Sequence, residues 1–191
     1  MAHVVFMRAA NVGGRNVFRP ARLAADLEHL ELVNIGAAGT FVVRAKASAT
    51  AIRREILSHL SFEPGLAIIP AAEVAELVRR APFKGQRLSK DLRGWAAALC
   101  QSPSSRPMLP IDAPAGRAWS VRFERIEGPF ALGLQRRQPG ASVYANQVVE
   151  KALGVPATTR WWDTIEKIAQ IAPSLRAAIS AAPPGALCSP P

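Results

Sequence analysis

The stretch LVNIGAAGTFVVRA, residues 32–45, decides the fold. Two apolar runs, residues 32–37 and 39–45, flank a turn of small residues, the pattern of two strands that pair as a hairpin. A helix and a strand lie on each side of it. Toward the N-terminus, HVVFM at residues 3–7 reads as a short buried strand that leads to a glycine pair. PARLAADLEHL at residues 20–30 follows as an amphipathic helix, with Pro20 in the first turn and Leu23, Leu27 and Leu30 at helical spacing. Toward the C-terminus, Ser48 or Thr50 caps ATAIRREILSHL at residues 49–60, with Ile52, Ile56, Leu57 and Leu60 on one face. GLAIIP at residues 65–70 is a fourth strand. The order β-α-β-β-α-β is the split βαβ pattern of ferredoxin-like folds, in which two helices pack on one face of an antiparallel sheet. AAEVAELVRRA at residues 71–81 adds a third helix.

The second half reads as a smaller α+β unit. GWAAALC at residues 94–100 is a strand, and QSPSSRPMLPIDAPAG at residues 101–116 carries too much Pro and Ser for regular structure. RAWSVRFERI at 117–126 and PFALGLQRR at 129–137 form a hairpin. SVYANQVVEKALG at 142–154 is a helix that ends at Gly154, and TTRWWDTIEKIAQIA at 158–172 is a last helix capped by Thr158 or Thr159. SLRAAIS at 174–180 is a further turn. The expected division is a ferredoxin-like domain at 1–85, a basic connector at 86–93, a second subdomain at 94–180 and a disordered tail at 181–191.

Composition narrows the function classes. No apolar run approaches the ~18 residues of a membrane span, and the N-terminal stretch has no cationic region of the signal-peptide kind, so a soluble cytoplasmic protein is expected. Cys100 and Cys188 have neither metal-ligand nor disulfide-framework spacing and are expected to be free thiols. His3, His29 and His59 are scattered, so neither a metal nor a cofactor is expected. The net charge of +10, from 24 basic and 14 acidic residues, attracts phosphate-bearing partners. Nineteen of the 24 are Arg in a chain also rich in Ala and Pro, which a biased codon supply explains equally well. Residues 79–93 concentrate the charge, with Arg79, Arg80, Lys84, Arg87, Lys90 and Arg93 against Asp91 alone. That run is either a solvated connector or a strip for a nucleic-acid backbone. Its one aromatic, Phe83, gives little support for base stacking.

Two motifs at opposite ends carry a family resemblance. FMRAANVGGRN, residues 6–16, resembles an opening motif Leu-Arg-Gly-Ile-Asn-Val-Gly-Gly-Lys-Asn. TTRWWDT, residues 158–164, resembles a closing motif Thr-Thr-Arg-Asn-Trp-Asn-Thr followed by an apolar helix. Both are motifs of the bacterial domain of unknown function 1697 family. The resemblance implies an α+β protein with a ferredoxin-like first half and no established activity. Ala9, Trp161 and Asp163 depart from the family pattern, as does Thr40 within AGTFVV, where relatives carry Ser-Gly-Asn before the strand.

The first motif pairs Arg8, Asn11, Gly13, Gly14, Arg15 and Asn16. A strand leading through glycines into a helix can offer backbone N–H groups to an anion. It can equally be a tight turn in which Asn11 bonds its own backbone. The second motif offers the hydroxyls of Thr158 and Thr159, the planar fork of Arg160 and the ring of Trp162. Alternatively it is a helix cap and a core Trp, with Arg160 paired to an internal acid. Three functions are open: binding of a phosphate-bearing or other anionic small molecule between the halves, nucleic-acid binding on the basic surface, and an enzyme on an anionic substrate. No nucleophile elbow or paired acids appear, and Asp163 is the best titratable candidate beside the motifs.

Overall fold

The computed structural model describes residues 1–8, 17–116, 118–138 and 143–172. The first half forms strand β1 (His3–Arg8), helix α1 (Pro20–Asp26), strands β2 (Leu32–Asn34) and β3 (Thr40–Val43), helix α2 (Ala49–Ser58), strand β4 (Gly65–Pro70) and helix α3 (Ala71–Arg79). Its sheet has the order β2-β3-β1-β4, with every neighbouring pair antiparallel. The order is compatible with a ferredoxin-like arrangement. Alternation along β1 explains the layering. Val5 and Met7 face α1 and α2, where Leu23, Leu27, Ile52 and Ile56 close the outer core. Val4 and Phe6 face the other way, into the core shared with the second half.

Local chemistry sets the helix ends. Ser48, and not Thr50, caps α2, its Oγ accepting from the Ala51 N–H at 3.1 Å. The helix expected over residues 20–30 stops at Asp26, and Glu28–Leu30 is a 3-10 turn. The tighter turn, followed by Glu31 at φ 50°, swings the chain into β2 while Leu27 and Leu30 stay in the core.

The second half contains β5 (Leu92–Leu99), β6 (Ile111–Ala113), β7 (Val121–Glu127), β8 (Phe130–Arg136), α4 (Ala145–Leu153), β9 (Ala157–Trp161) and α5 (Trp162–Ile171). The five strands run β6-β7-β8-β5-β9. Two expectations are corrected. The Pro- and Ser-rich stretch holds a strand after all: β6 pairs with β7, and Asp112 takes a two-pronged contact from Arg122 at 2.7 and 2.9 Å. Thr158 and Thr159 do not cap a helix. They lie inside β9 opposite Ala98 and Ala97, and α5 begins only at Trp162. The β-branched pair suits an edge strand, and the alanines of β5 leave room beside it. Gly154, at φ 67°, ends α4 as expected, in a conformation that suits glycine.

The halves share one core. Phe6 of β1 meets Phe130 of β8 edge-on at 6.1 Å, and α3 and α5 pack together over Val74, Leu77, Ile165 and Ile168. On the far face of the second sheet, α4 covers Trp95, Ala97, Phe123 and Ala157. The junction therefore places the C-terminal end of β1, the β2–β3 turn, the start of α4 and the edge strand β9 side by side.

Candidate functional site

Strand β9 organises this junction. Its alternation sends Thr158 and Arg160 toward the first sheet. The Thr158 hydroxyl donates to the Met7 carbonyl at 3.2 Å. Arg160 reaches further: Nε donates to Thr40 Oγ1 at 2.6 Å, one terminal nitrogen to Thr158 Oγ1 and the Thr159 carbonyl, both at 2.9 Å, and the other to the carbonyls of Ala38 at 2.6 Å and Met7 at 3.2 Å. The five N–H donors of a guanidinium are thereby engaged by neutral oxygens. Among the described residues no internal acid pairs with it, contrary to one of the two readings of the motif. Burial pulls Arg160 down to about 10, which leaves it charged at neutral pH. Thr40, where the family pattern has another residue, is thus the acceptor for Nε. Gly39 brings the turn close enough for these bonds, since a Cβ there would lie 2.9 Å from Cβ of Met7.

Arg8 is likewise engaged within the protein. It forks onto Glu150 of α4, Nε to Oε1 at 2.5 Å and a terminal nitrogen to Oε2 at 3.0 Å, and Glu150 Oε1 also accepts the Ala157 N–H at 2.9 Å. Burial pushes the Glu150 carboxyl up, but the Arg8 bonds, the Ala157 N–H and the Arg8 charge outweigh it and hold the group below its usual range. The unfolded chain therefore binds more protons than the folded one as the pH falls through this group. Its contribution is complete above the ordinary glutamate range near pH ~4.3 and is lost as the pH falls through the lower folded value. Urea unfolding between pH 2.5 and 6 is expected to show a shallower loss of stability on acidification for Glu150→Gln than for the parent chain. Parallel pH profiles would contradict the assignment.

Of the remaining residues in the motifs, Trp162 is buried against Phe83, ring centroids 5.0 Å apart, and its Nε1 donates to Glu166 at 2.9 Å. Asp163 does not stand with Arg160 but takes an ion pair from Arg93 at 3.1 Å. Asn11, Gly13, Gly14, Arg15 and Asn16 lie outside the described residues, as do residues 173–191 with SLRAAIS and Cys188. In the basic run, Arg79 and Arg80 bond Glu76, while Lys84, Arg87 and Lys90 are exposed. Phe83 is buried and offers no stacking face.

Beside the Arg160 tie lies a cavity of about 460 Å³ between Ile35–Ala38 of the β2–β3 turn, Tyr144–Asn146 at the start of α4, and Thr159–Trp161 of β9, with Gln135 and Thr164 completing the wall. Its volume is in the range of small-molecule sites, ~300–1,000 Å³. The Thr159 hydroxyl is buried and has no hydrogen-bond partner. The N-cap of α4, Tyr144, supplies no side-chain cap, and no acid lies in the first turn. A second hollow of about 320 Å³ shares Gln135 and Trp161 with the first and is otherwise lined by Lys90, Arg93, Arg136 and Arg137. Arg93 stacks over Trp161, its Cζ 3.9 Å from the ring centroid, and Arg136 stacks over Trp119 at 3.7 Å. No carboxylate lines this hollow among the described residues.

The structure thus brings Arg8, Thr158, Thr159 and Arg160 to one junction, and of these Thr159 and Arg160 line the cavity. Sequence reasoning missed Gln135, Arg136, Arg137, Tyr144 and Asn146. The basic pair at the end of LQRR was visible, but nothing local connected it with Trp161.

A family model described as "Protein of unknown function (DUF1697)" matches residues 1–122. The opening motif falls inside that stretch and the closing motif beyond it. No curated protein matches the chain. A solved structure of a conserved bacterial protein from Streptococcus pneumoniae is similar, with 15% sequence identity, a TM-score of 0.56, and coverage of 89% of this chain and 97% of that one. At that identity the likeness shows the α+β fold alone.

Proposed function

The chain belongs to this family of proteins of unknown function, and from that premise we propose that it binds a phosphate-bearing or otherwise anionic small ligand at the junction of its two halves. The observation that carries the reading is a cavity of small-molecule size that shares Gln135 and Trp161 with a hollow whose charged lining residues are all basic. Four cations around one hollow raise the local concentration of anions and contribute to their capture. This reading gives the binding role to the Lys90, Arg93, Arg136 and Arg137 group beside Trp161, with Arg8 and Arg160 engaged inside the protein.

Binding is favoured over catalysis because no carboxylate, imidazole or thiol lines the cavity among the described residues, which leaves the Tyr144 phenol as its one candidate for proton transfer. A nucleic-acid backbone running along exposed Lys84, Arg87 and Lys90 toward Arg137 is the second reading. It requires retention that falls steeply with salt.

The test is thermal unfolding in the presence of inorganic phosphate, pyrophosphate, tripolyphosphate and nucleoside phosphates. A ligand at a hundred times its Kd stabilises by ~2.7 kcal/mol, so the melting temperature is expected to rise by several degrees with at least one of them. Lys90→Ala combined with Arg137→Ala should remove most of that rise. If no member of the panel shifts the transition at low salt, the proposal is wrong.

A further inference from the structure

The two hollows differ in chemistry, and that difference narrows the ligand. The larger is walled mostly by apolar surface from Ile35, Ala37, Ala38 and Ala145 with the rings of Tyr144 and Trp161, and it is far roomier than an inorganic phosphate requires. Apart from Arg160, which is engaged within the protein, its polar side chains are neutral: the amides of Gln135 and Asn146 and the hydroxyls of Thr40, Tyr144, Thr159 and Thr164. Amides of this type pair with the donor and acceptor edges of a nucleobase, and apolar and aromatic walls suit its faces. The smaller hollow is lined by four cationic side chains together with Gln135 and Trp161. Trp161 and Gln135 are common to both, so a ligand that fills the two must change from a planar, sparsely polar body to a polyanionic tail at Trp161.

We infer that the ligand is a nucleoside phosphate, with its base and sugar in the cavity beside Thr159, Asn146 and Gln135 and its phosphates on Lys90, Arg93, Arg136 and Arg137. This rests on the anionic-ligand reading above. Arg93 has a further part in it. Its guanidinium lies on the Trp161 ring while donating to Asp163, so the cation is oriented at the boundary between the hollows and the ring is held by one face. A phosphate group entering the hollow competes with Asp163 for Arg93.

Calorimetric titration of the full chain separates the parts, with adenosine triphosphate, guanosine triphosphate, cytidine triphosphate, the three free nucleosides, and tripolyphosphate as probes. The expected result is that one nucleoside triphosphate binds at least tenfold more tightly than its nucleoside and than tripolyphosphate. Asn146→Leu, which keeps the bulk and removes the amide, should weaken that nucleotide several-fold and leave tripolyphosphate unchanged. Lys90→Ala with Arg137→Ala should weaken both the nucleotide and tripolyphosphate while sparing the nucleoside. Tripolyphosphate binding as tightly as every nucleotide would overturn the nucleoside assignment while leaving the anionic-ligand reading intact. Absence of binding by all probes would overturn both.

Discussion

Replacing Arg160 by alanine is expected to destabilise the protein by about 3–5 kcal/mol, because several buried acceptors lose their donor at once. The Met7 and Ala38 carbonyls and the Thr40 hydroxyl belong to the first sheet, while Thr158 and Thr159 belong to the second, so one side chain satisfies oxygens from both halves. An ammonium has three donors and no fork, so Arg160→Lys should recover only part of the loss. In a 191-residue chain each kcal/mol moves the melting temperature by roughly 2–4 °C, and scanning calorimetry would resolve the order parent, lysine, alanine. The same experiment distinguishes the structural role from a ligand-binding one. Were Arg160 a ligand contact, the lysine variant would unfold with the parent and only its ligand affinity would fall.

Trp162 carries the second large effect. It is buried between the halves, its ring 5.0 Å from that of Phe83, and it joins Ile165 and Ile168 in the shared core. Trp162→Ala should cost about 3–5 kcal/mol through lost burial and the cavity left behind. Trp162→Phe keeps an aromatic ring in the gap and gives up the bond to Glu166, which is worth about 1 kcal/mol. Equilibrium unfolding in urea should therefore show the phenylalanine variant much nearer the parent than the alanine variant. Equal losses in the two would indicate that the Glu166 bond and not the packing holds the residue.

Both residues belong to the closing motif, and both were legible as important before their role was. The β-α-β-β-α-β order could be read because the helices repeat Leu and Ile at helical spacing and the strands are short apolar runs bounded by turns. Those signals are local. The identity of residues 158–161 as an edge strand was not local: a Thr-Thr pair before an amphipathic run gives a helix-cap signal, and pairing with Ala97 and Ala98 overrides it. The partnership of Arg8 with Glu150 spans 142 positions and leaves no trace in spacing. Nothing in the motif showed that its arginine is partnered by an acid on a distant helix. The cavity was illegible for the same reason, since its walls come from four separated segments that only the tertiary fold brings together.

The central claim, that ligand is held at Trp161 between the two hollows, has a direct spectroscopic test. The chain has four tryptophans, and their indole N–H resonances report four separate places. Trp95 and Trp162 are buried in different cores, Trp119 lies under Arg136, and Trp161 borders both hollows. In a titration with the tightest-binding phosphate compound, the Trp161 indole signal should show the largest displacement and that of Trp162 should stay in place. Saturable binding that leaves the Trp161 signal unmoved would contradict the account.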